Sequence, residues 1–331
     1  MSNDDRCTKP QVKLFFSIFE AHHDGRLFVA TEKWDERCAY ALMKKQMIVR
    51  LYNHVYADPA YWNDLGIEDR IFQLASAIAV VEPDAVFCGA TAALLYGIGS
   101  AYSLLDKVQV LLPRSTRRDT YEFVEYRRWR AGDIWKLGPF TLTDPYRTVV
   151  DIARTTAFRY ALGYVDGLAR EYGVEREELR AYAQANCRGL HGIARAFDVF
   201  EHMDGRSDNG GESEARAAMI LAGVAAPELQ VEIPRPGNAG YYLADYGWQL
   251  PDGLWTLAEL HGLGKFEDEA QNDLEQAAAK TYRAALMRDA NLRAMGHNVI
   301  HFKLADTYDV KAFGSMMRGY GIPTTKPYAG S

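Results

Sequence analysis

Two strand-like runs, Tyr241 to Trp248 and Leu254 to Leu260, flank Pro251-Asp252-Gly253, and this feature most narrows what the chain can become. A proline, an acidic residue and a glycine in succession favour a tight reversal, so the runs pair as a hairpin. With Asp252 as the pivot, Asp245 lies opposite Glu259, and opposed side chains on one face have Cβ atoms about 5 Å apart. His261 follows Glu259 by two positions, so strand alternation puts it on the same face while Leu260 turns into the core. Two carboxylates and a third polar group on one rigid hairpin can hold Mg²⁺ or Mn²⁺, which prefer oxygen ligands. Such an ion would act as a Lewis acid and lower the pKa of an attacking water. Lys265, beyond the Gly262-Leu263-Gly264 turn, can swing back toward a phosphodiester and stabilise charge in its transition state. The same residues also read as ordinary strand carboxylates on a sheet surface. Gly264-Lys265 is not a phosphate loop, because the upstream glycine is missing and Phe266 stands where Ser or Thr belongs.

The surrounding segments extend the hairpin into a domain over residues 212–310. Glu212 to Ala222 reads as a helix ended by Gly223, with Glu212 and Arg216 at i, i+4 on one face. Leu229 to Ile233 is a candidate strand. A long helix from Glu267 to Met295 carries Arg283, Arg288 and Arg293 toward its end, as the macrodipole favours, and Gly296 caps it. Val299 to Lys303 then closes a mixed sheet flanked by helices. The polar, glycine-rich run Asp204 to Gly211 is the best linker and sets the last domain boundary.

At the other end, Val12, Phe15, Phe16 and Phe19 fall at i, i+3, i+4 and i+7, the spacing of one buried helical face. A short Leu27-Phe28-Val29 run leads into a polar, helix-compatible segment from Thr31 to Gln46 that includes Arg37, Lys44 and Lys45. Two β-rich runs around Asn53-His54 read as a tight hairpin. Helix, helix, basic helix and small hairpin within residues 1–58 is the order of a winged helix, in which one helix enters the major groove and the wing touches the backbone. Arg37, Lys44, Lys45, Arg50 and His54 are then the DNA-contacting candidates. A small α/β cap packing on the rest of the chain is the competing reading.

Residues 59–204 read as mixed α/β, with helical segments at Ile71 to Val81 and Thr91 to Tyr96 and a strand at Val108 to Leu112. A helix starts near Pro145 with Thr143 or Asp144 as N-cap, and Asp151 and Arg154 pair on its surface. A net charge of −6 gives no global attraction to nucleic acid, so any binding rests on a local patch. Between Lys107 and Lys136 lie eight basic and four acidic residues, including Arg114, Arg117 and Arg118. That patch either contacts DNA or is a solvated edge hairpin whose arginines resist aggregation. Cys7, Cys38, Cys88 and Cys187 show no C-x-x-C spacing, which removes zinc-ribbon readings. With no apolar run near ~20 residues and no signal sequence, the expectation is a cytoplasmic chain with no membrane partner.

Four stretches, Glu212-Ser213-Glu214-Ala215-Arg216, Pro227-Glu228-Leu229-Gln230, Ala244-Asp245-Tyr246-Gly247-Trp248 and Glu259-Leu260-His261-Gly262-Leu263-Gly264-Lys265-Phe266, together resemble the very-short-patch-repair-like branch of the PD-(D/E)XK nucleases. The resemblance implies a restriction-endonuclease-like α/β fold, a catalytic set of Glu212, Asp245, Glu259, His261 and Lys265, and a divalent ion on Asp245 and Glu259. His261 stands where these relatives carry Asp. Imidazole is a poor ligand for Mg²⁺, so the implied activity is either lost or shifted toward Mn²⁺. The N-terminal half, through Val49 to Ala57, Ala90 to Gly97 and Leu142 to Arg154, is similar to the AbiEi-type antitoxin of type IV toxin–antitoxin systems, with Asn53 in place of the frequent wing glycine.

This resemblance implies a DNA-binding regulator in a toxin–antitoxin or phage-defence context whose nuclease-like domain is degenerate. The alternative is a metal-dependent DNA endonuclease guided by its winged helix. A third reading makes the middle region a surface for a cognate toxin protein.

Overall fold

The computed structural model describes residues 7–99, 101–112, 119–128, 132–238, 240–261, 273–326 and 328, with backbone alone at 238 and 273–282. They form two compact units: one runs to Ile152 and includes Tyr182–Arg188, the other comprises Ala153–Ala181 and the chain from Gly189 onward. Both combine helices with sheet, so the multi-domain α/β class read from the sequence holds. No helix among the described residues is long and apolar enough to cross a membrane.

The first unit opens with α1 (Lys9–His23), β1 (Phe28–Val29), α2 (Lys33–Lys44), β2 (Val49–Tyr52) and β3 (Val55–Ala57). Among the described residues two helices, not three, precede the hairpin, and β1 joins it in a small sheet of order β1-β3-β2. The reversal falls at Asn53-His54 as the sequence indicated, with Tyr52 paired to Val55. His54 adopts φ +59°, a region sparsely populated by residues other than glycine, and its Nδ1 lies 2.6 Å from a Glu36 carboxylate oxygen. The core is built from Leu14, Ile18, Ala39, Leu42, Ile48 and Tyr56. This corrects the expected buried face of α1, since Val12, Phe16 and Phe19 are exposed and Phe15 is half-buried. Leu14, Ile18 and Ala21 share the same helical spacing, so α1 carries two apolar faces and the smaller one is buried.

Next come α3 (Pro59–Asp64), α4 (Ile67–Val81), β4 (Val86–Phe87), α5 (Gly89–Leu95), β5 (Val108–Leu111), β6 (Val124–Arg127), β7 (Ile134–Leu137), β8 (Phe140–Thr143) and α6 (Pro145–Thr155). The five strands form one mixed sheet of order β6-β5-β4-β8-β7. Asp144 caps α6 by accepting from the Arg147 backbone N–H, with Pro145 in the first turn. The expected surface position of Asp151 and Arg154 is corrected, since both are buried. Asp151 takes Arg147 at 2.7 Å, with both side chains buried, and Arg154 donates to the His191 carbonyl.

The second unit contains α7 (Phe158–Tyr172), α9 (Ile193–Phe200), α10 (Gly210–Leu221), β9 (Glu228–Pro234), β10 (Tyr241–Gln249), β11 (Trp255–His261), α11 (Asp273–Ala294), β12 (Asn298–Lys303) and α12 (Val310–Gly319), while α8 (Arg176–Asn186) precedes α9. Its sheet has the order β12-β11-β10-β9, antiparallel except for the parallel β11–β12 pair. One face packs on α10 and α12 through Leu229, Tyr246, Ala258, Phe302 and Phe313; the other packs on α11 through Val231, Tyr242, Leu257 and Leu292. The Asp204 to Gly211 run lies inside this unit. Ser207 is fully buried, and the Asp204 backbone N–H donates to Asp166 Oδ1 at 2.8 Å.

Helix α10 is buried from Glu212 through Ile220, so its charged side chains need partners. Arg216 Nη2 reaches both carboxylate oxygens of Asp166 on α7, at 2.8 and 2.7 Å, and does not pair with Glu212 as its spacing suggested. Glu214 takes Arg159 at 2.7 Å, and Arg159 also donates to the Thr307 carbonyl at 2.6 Å. Asp166→Ala leaves the Arg216 guanidinium buried without its carboxylate and is expected to cost about 3–5 kcal/mol. Urea denaturation checks this, and adding Arg216→Met in the same chain should recover most of the loss.

Candidate carboxylate site

Register places the first two acids together. Tyr246 pairs with Ala258 and Gln249 with Trp255, the pivot read from Pro251-Asp252-Gly253, and the same register brings Asp245 beside Glu259. Asp245 is not an ordinary strand residue, however. Along β10, Ala244 belongs to the α11 face and Tyr246 to the α10 face, although two-residue spacing should keep them together. Val231 and Leu229 on β9 divide in the same way, while the pairs Ala244–Val231 and Tyr246–Leu229 keep one register. Both strands therefore turn over at Asp245 and Gln230. Gln230 bears the local strain of this with φ +52°.

The turnover puts Asp245 where it acts on acids from both faces. Its Oδ2 accepts from the Leu260 backbone N–H at 2.8 Å. Its charge helps raise the carboxyl of Glu212 from α10 and that of Glu259 from β11. Burial is the larger cause in each case and pushes both up to about 7. Asn209 caps α10 by accepting from the Glu212 backbone N–H. The Glu212 carboxylate accepts from the Asp208 backbone N–H and Asn209 Nδ2, each at 2.8 Å, and from Gln230 Nε2 at 3.3 Å. Tyr246 on β10 anchors the helix end by donating its hydroxyl to the Glu212 carbonyl.

Glu259 has a second environment on the α11 face. Arg288 Nη2 lies 2.8 Å from its Oε2, and its Oε1 is buried with no hydrogen-bond partner among the described residues. His301 on β12 stands in register with Glu259. Its Nε2 lies 2.5 Å from Asp289 Oδ2, and its ring stacks on His261 with centroids 4.7 Å apart. Burial lowers the His261 pKa, and the neighbouring His301 lowers it further. His261 is therefore on the expected face, held in a stack.

The structure thus gathers Glu212, Asp245, Glu259 and His261, and adds Gln230, Arg288, Asp289 and His301, which sequence reasoning did not assign to the site. For His301 the signal was there, in its alternation with Val299 along a strand. The spacing of Arg288 in the sequence marks it only as a complement to the helix dipole. Lys265 lies outside the described residues. Two carboxylates with one free oxygen on Glu259 suit a hard divalent ion that keeps several of its waters. Among the described residues no group of three or more His, Cys, Asp or Glu side chains is arranged to hold a metal.

Of the DNA-contact candidates, Arg37, Lys44 and Arg50 are exposed, Lys45 is half-buried and His54 is engaged by Glu36. Arg50 lies over the Tyr121 ring at 5.8 Å. Arg114, Arg117 and Arg118 lie outside the described residues.

These features define the class: a two-unit α/β protein whose second unit carries a buried carboxylate cluster on a four-stranded mixed sheet. No protein-family model matches the chain. It is 30% identical over 206 residues to uncharacterized proteins Rv2248 and MT2308, from two strains of Mycobacterium tuberculosis, a match spanning 62% of this chain and 72% of each relative. The chain belongs to the family of these mycobacterial proteins.

Raised carboxyl groups make stability depend on pH. Between about 4.5 and 7 the folded state keeps protons on Glu212 and Glu259 that the unfolded chain has released, so stability falls as pH rises through that window. Asp245→Asn keeps the acceptor for Leu260 and removes the charge that adds to both shifts. Its melting temperature is expected to exceed the wild type's at about pH 8 and to approach it at about pH 4.5, read by thermal denaturation.

Proposed function

We propose that the chain is a DNA-binding regulator of antitoxin type, acting in a toxin–antitoxin or phage-defence setting, with a degenerate nuclease-like centre in its second unit. The observation that carries this reading is the solvent face of α2, where Lys33, Arg37, Tyr40 and Lys44 are all exposed at helical spacing. Lys44 Nζ sits 4.7 Å from the Tyr40 ring centroid, so the basic charge is ordered beside an aromatic face. A helix about 10–12 Å wide with its side chains fits a major groove of similar width. The hairpin, whose tip is tied to α2 through His54 and Glu36, supports the reading as the counterpart of a wing. DNA is the partner this surface suits, and a cognate toxin protein is the second partner expected of such a regulator. Arg288 supports the degenerate state of the centre, because a guanidinium already neutralises the carboxylate that a catalytic ion would need.

A gel shift on the chain's own promoter tests the reading. Binding should weaken steeply with salt, and Arg37→Ala with Lys44→Ala should lower affinity at least about 10-fold and flatten the salt slope by about 0.9 for each phosphate that is no longer neutralised. Binding that is absent, or insensitive to salt and to both substitutions, sinks it.

Convergence of Glu212, Asp245 and Glu259 favours a second reading, a metal-dependent DNA endonuclease guided by the winged helix. Asp245 and Glu259 would hold Mg²⁺ or Mn²⁺, which when bound supplies Lewis acidity and a water of lowered pKa. Gln230 and the Asp208 backbone orient the Glu212 carboxylate, and Leu260 fixes that of Asp245. Nicking of supercoiled DNA by the wild type, with Mg²⁺ or Mn²⁺, that Asp245→Ala abolishes would replace the regulator reading with this one. No nicking with either ion leaves the centre degenerate.

A further inference from the structure

The solvent face of α1 carries an apolar stripe that the core does not use. Val12, Phe16 and Phe19 are 42%, 61% and 65% exposed, and they recur at i, i+4 and i+7 along a 15-residue helix. Two exposed phenylalanines on one short helix leave apolar surface in water that association would cover. The charges along the same face are ordered. Lys9 and Lys13 are exposed in its first half and Glu20 in its last turn, Asp24 at its C-cap pairs with Arg26 at 3.1 Å, and no acid lies in its first turn.

We infer that α1 pairs antiparallel with α1 of a second copy of this chain, about a two-fold axis near Phe16. In that arrangement Phe16 meets its own equivalent, and Val12 and Phe19 exchange places across the axis. Lys13 then faces Glu20 of the other copy. A parallel pairing would set lysine against lysine and acid against acid, so the charge order selects the antiparallel one. A two-fold axis makes the interface self-complementary and closes it at two copies. The helix is only about 22 Å long, so the interface sits at the small end of specific ones and the dimer is weak and reversible. Lys13 lies 5.5 Å from the Trp34 ring centroid on α2, which steadies the lysine without covering the stripe. This inference does not depend on DNA binding or on the carboxylate centre.

Sedimentation velocity of the full chain from about 1 to 100 µM should show a reversible monomer–dimer equilibrium, since small interfaces give weak complexes. Phe16→Glu, at a position whose side chain does not enter the core, should raise the dissociation constant at least about 100-fold. Lys13→Glu alone should weaken the dimer about 10-fold, whereas Lys13→Glu with Glu20→Lys in one chain should return it to near the wild-type value. That recovery separates a specific charge pairing from damage to the fold. A wild type that is monomeric throughout, a dimer indifferent to Phe16→Glu, or a double exchange that stays weak would each overturn the inference.

Discussion

A helix buried along most of its length must find a partner for every charge it carries, and the second unit is arranged around the way α10 meets that demand. Arg216 and Glu214 are answered from α7 by Asp166 and Arg159, which fix the helix in position and rotation. Glu212, near the helix N-terminus, is treated differently. Its partners among the described residues are hydrogen-bond donors from Asp208, Asn209 and Gln230, with no guanidinium or ammonium group among them. Burial pushes its carboxyl up to about 7, while the ion-paired acids two positions along and on α7 lock the scaffold. An acid that is buried and hydrogen-bonded, with no cation among its described partners, has the kind of shifted pKa found at functional sites and in structural networks alike.

That acid reaches the sheet only because β9 and β10 turn over together. Alternation counted from Tyr246 presents Asp245 to the α11 face, with Glu259, whereas alternation counted from Ala244 presents it to the α10 face. By reversing at Gln230 and Asp245 while keeping register, the two strands set one carboxylate at the boundary between faces. The cost is a glutamine in a left-handed conformation, of order 1–3 kcal/mol for such a residue. Gln230 offsets part of that by donating to Glu212. Strain and carboxylate cluster thus fall at the same pair of positions.

What could be read in advance follows from the same physics. Pro251-Asp252-Gly253 fixes a reversal, and once the pivot is set, pairing of Asp245 with Glu259 is arithmetic; the helix from Glu212 and the strands, Val299 to Lys303 included, are equally local. The turnover left no trace, because Tyr242, Ala244, Tyr246 and Trp248 alternate as though on one face and nothing marks Gln230 as left-handed. Helix α1 misled for a related reason: two apolar stripes share one period, and only the tertiary packing of Leu14, Ile18 and Ala21 decides between them. Arg288 and Asp289 escaped notice because their roles depend on where a long helix lands on the sheet. That is a non-local fact no spacing encodes.

Helix, turnover and hairpin all bear on the electrostatics of Glu259. Three neighbouring carboxylates repel one another, and near neutral pH the cluster is relieved by protons, by a protein cation or by a metal ion. The chain itself provides Arg288, which reaches one oxygen of Glu259 and leaves the other buried with no hydrogen-bond partner among the described residues. Burial and the Asp245 charge push Glu212 and Glu259 up to about 7, so near neutral pH protons relieve part of that repulsion. The charge of this centre is therefore set by pH, whichever role the second unit performs.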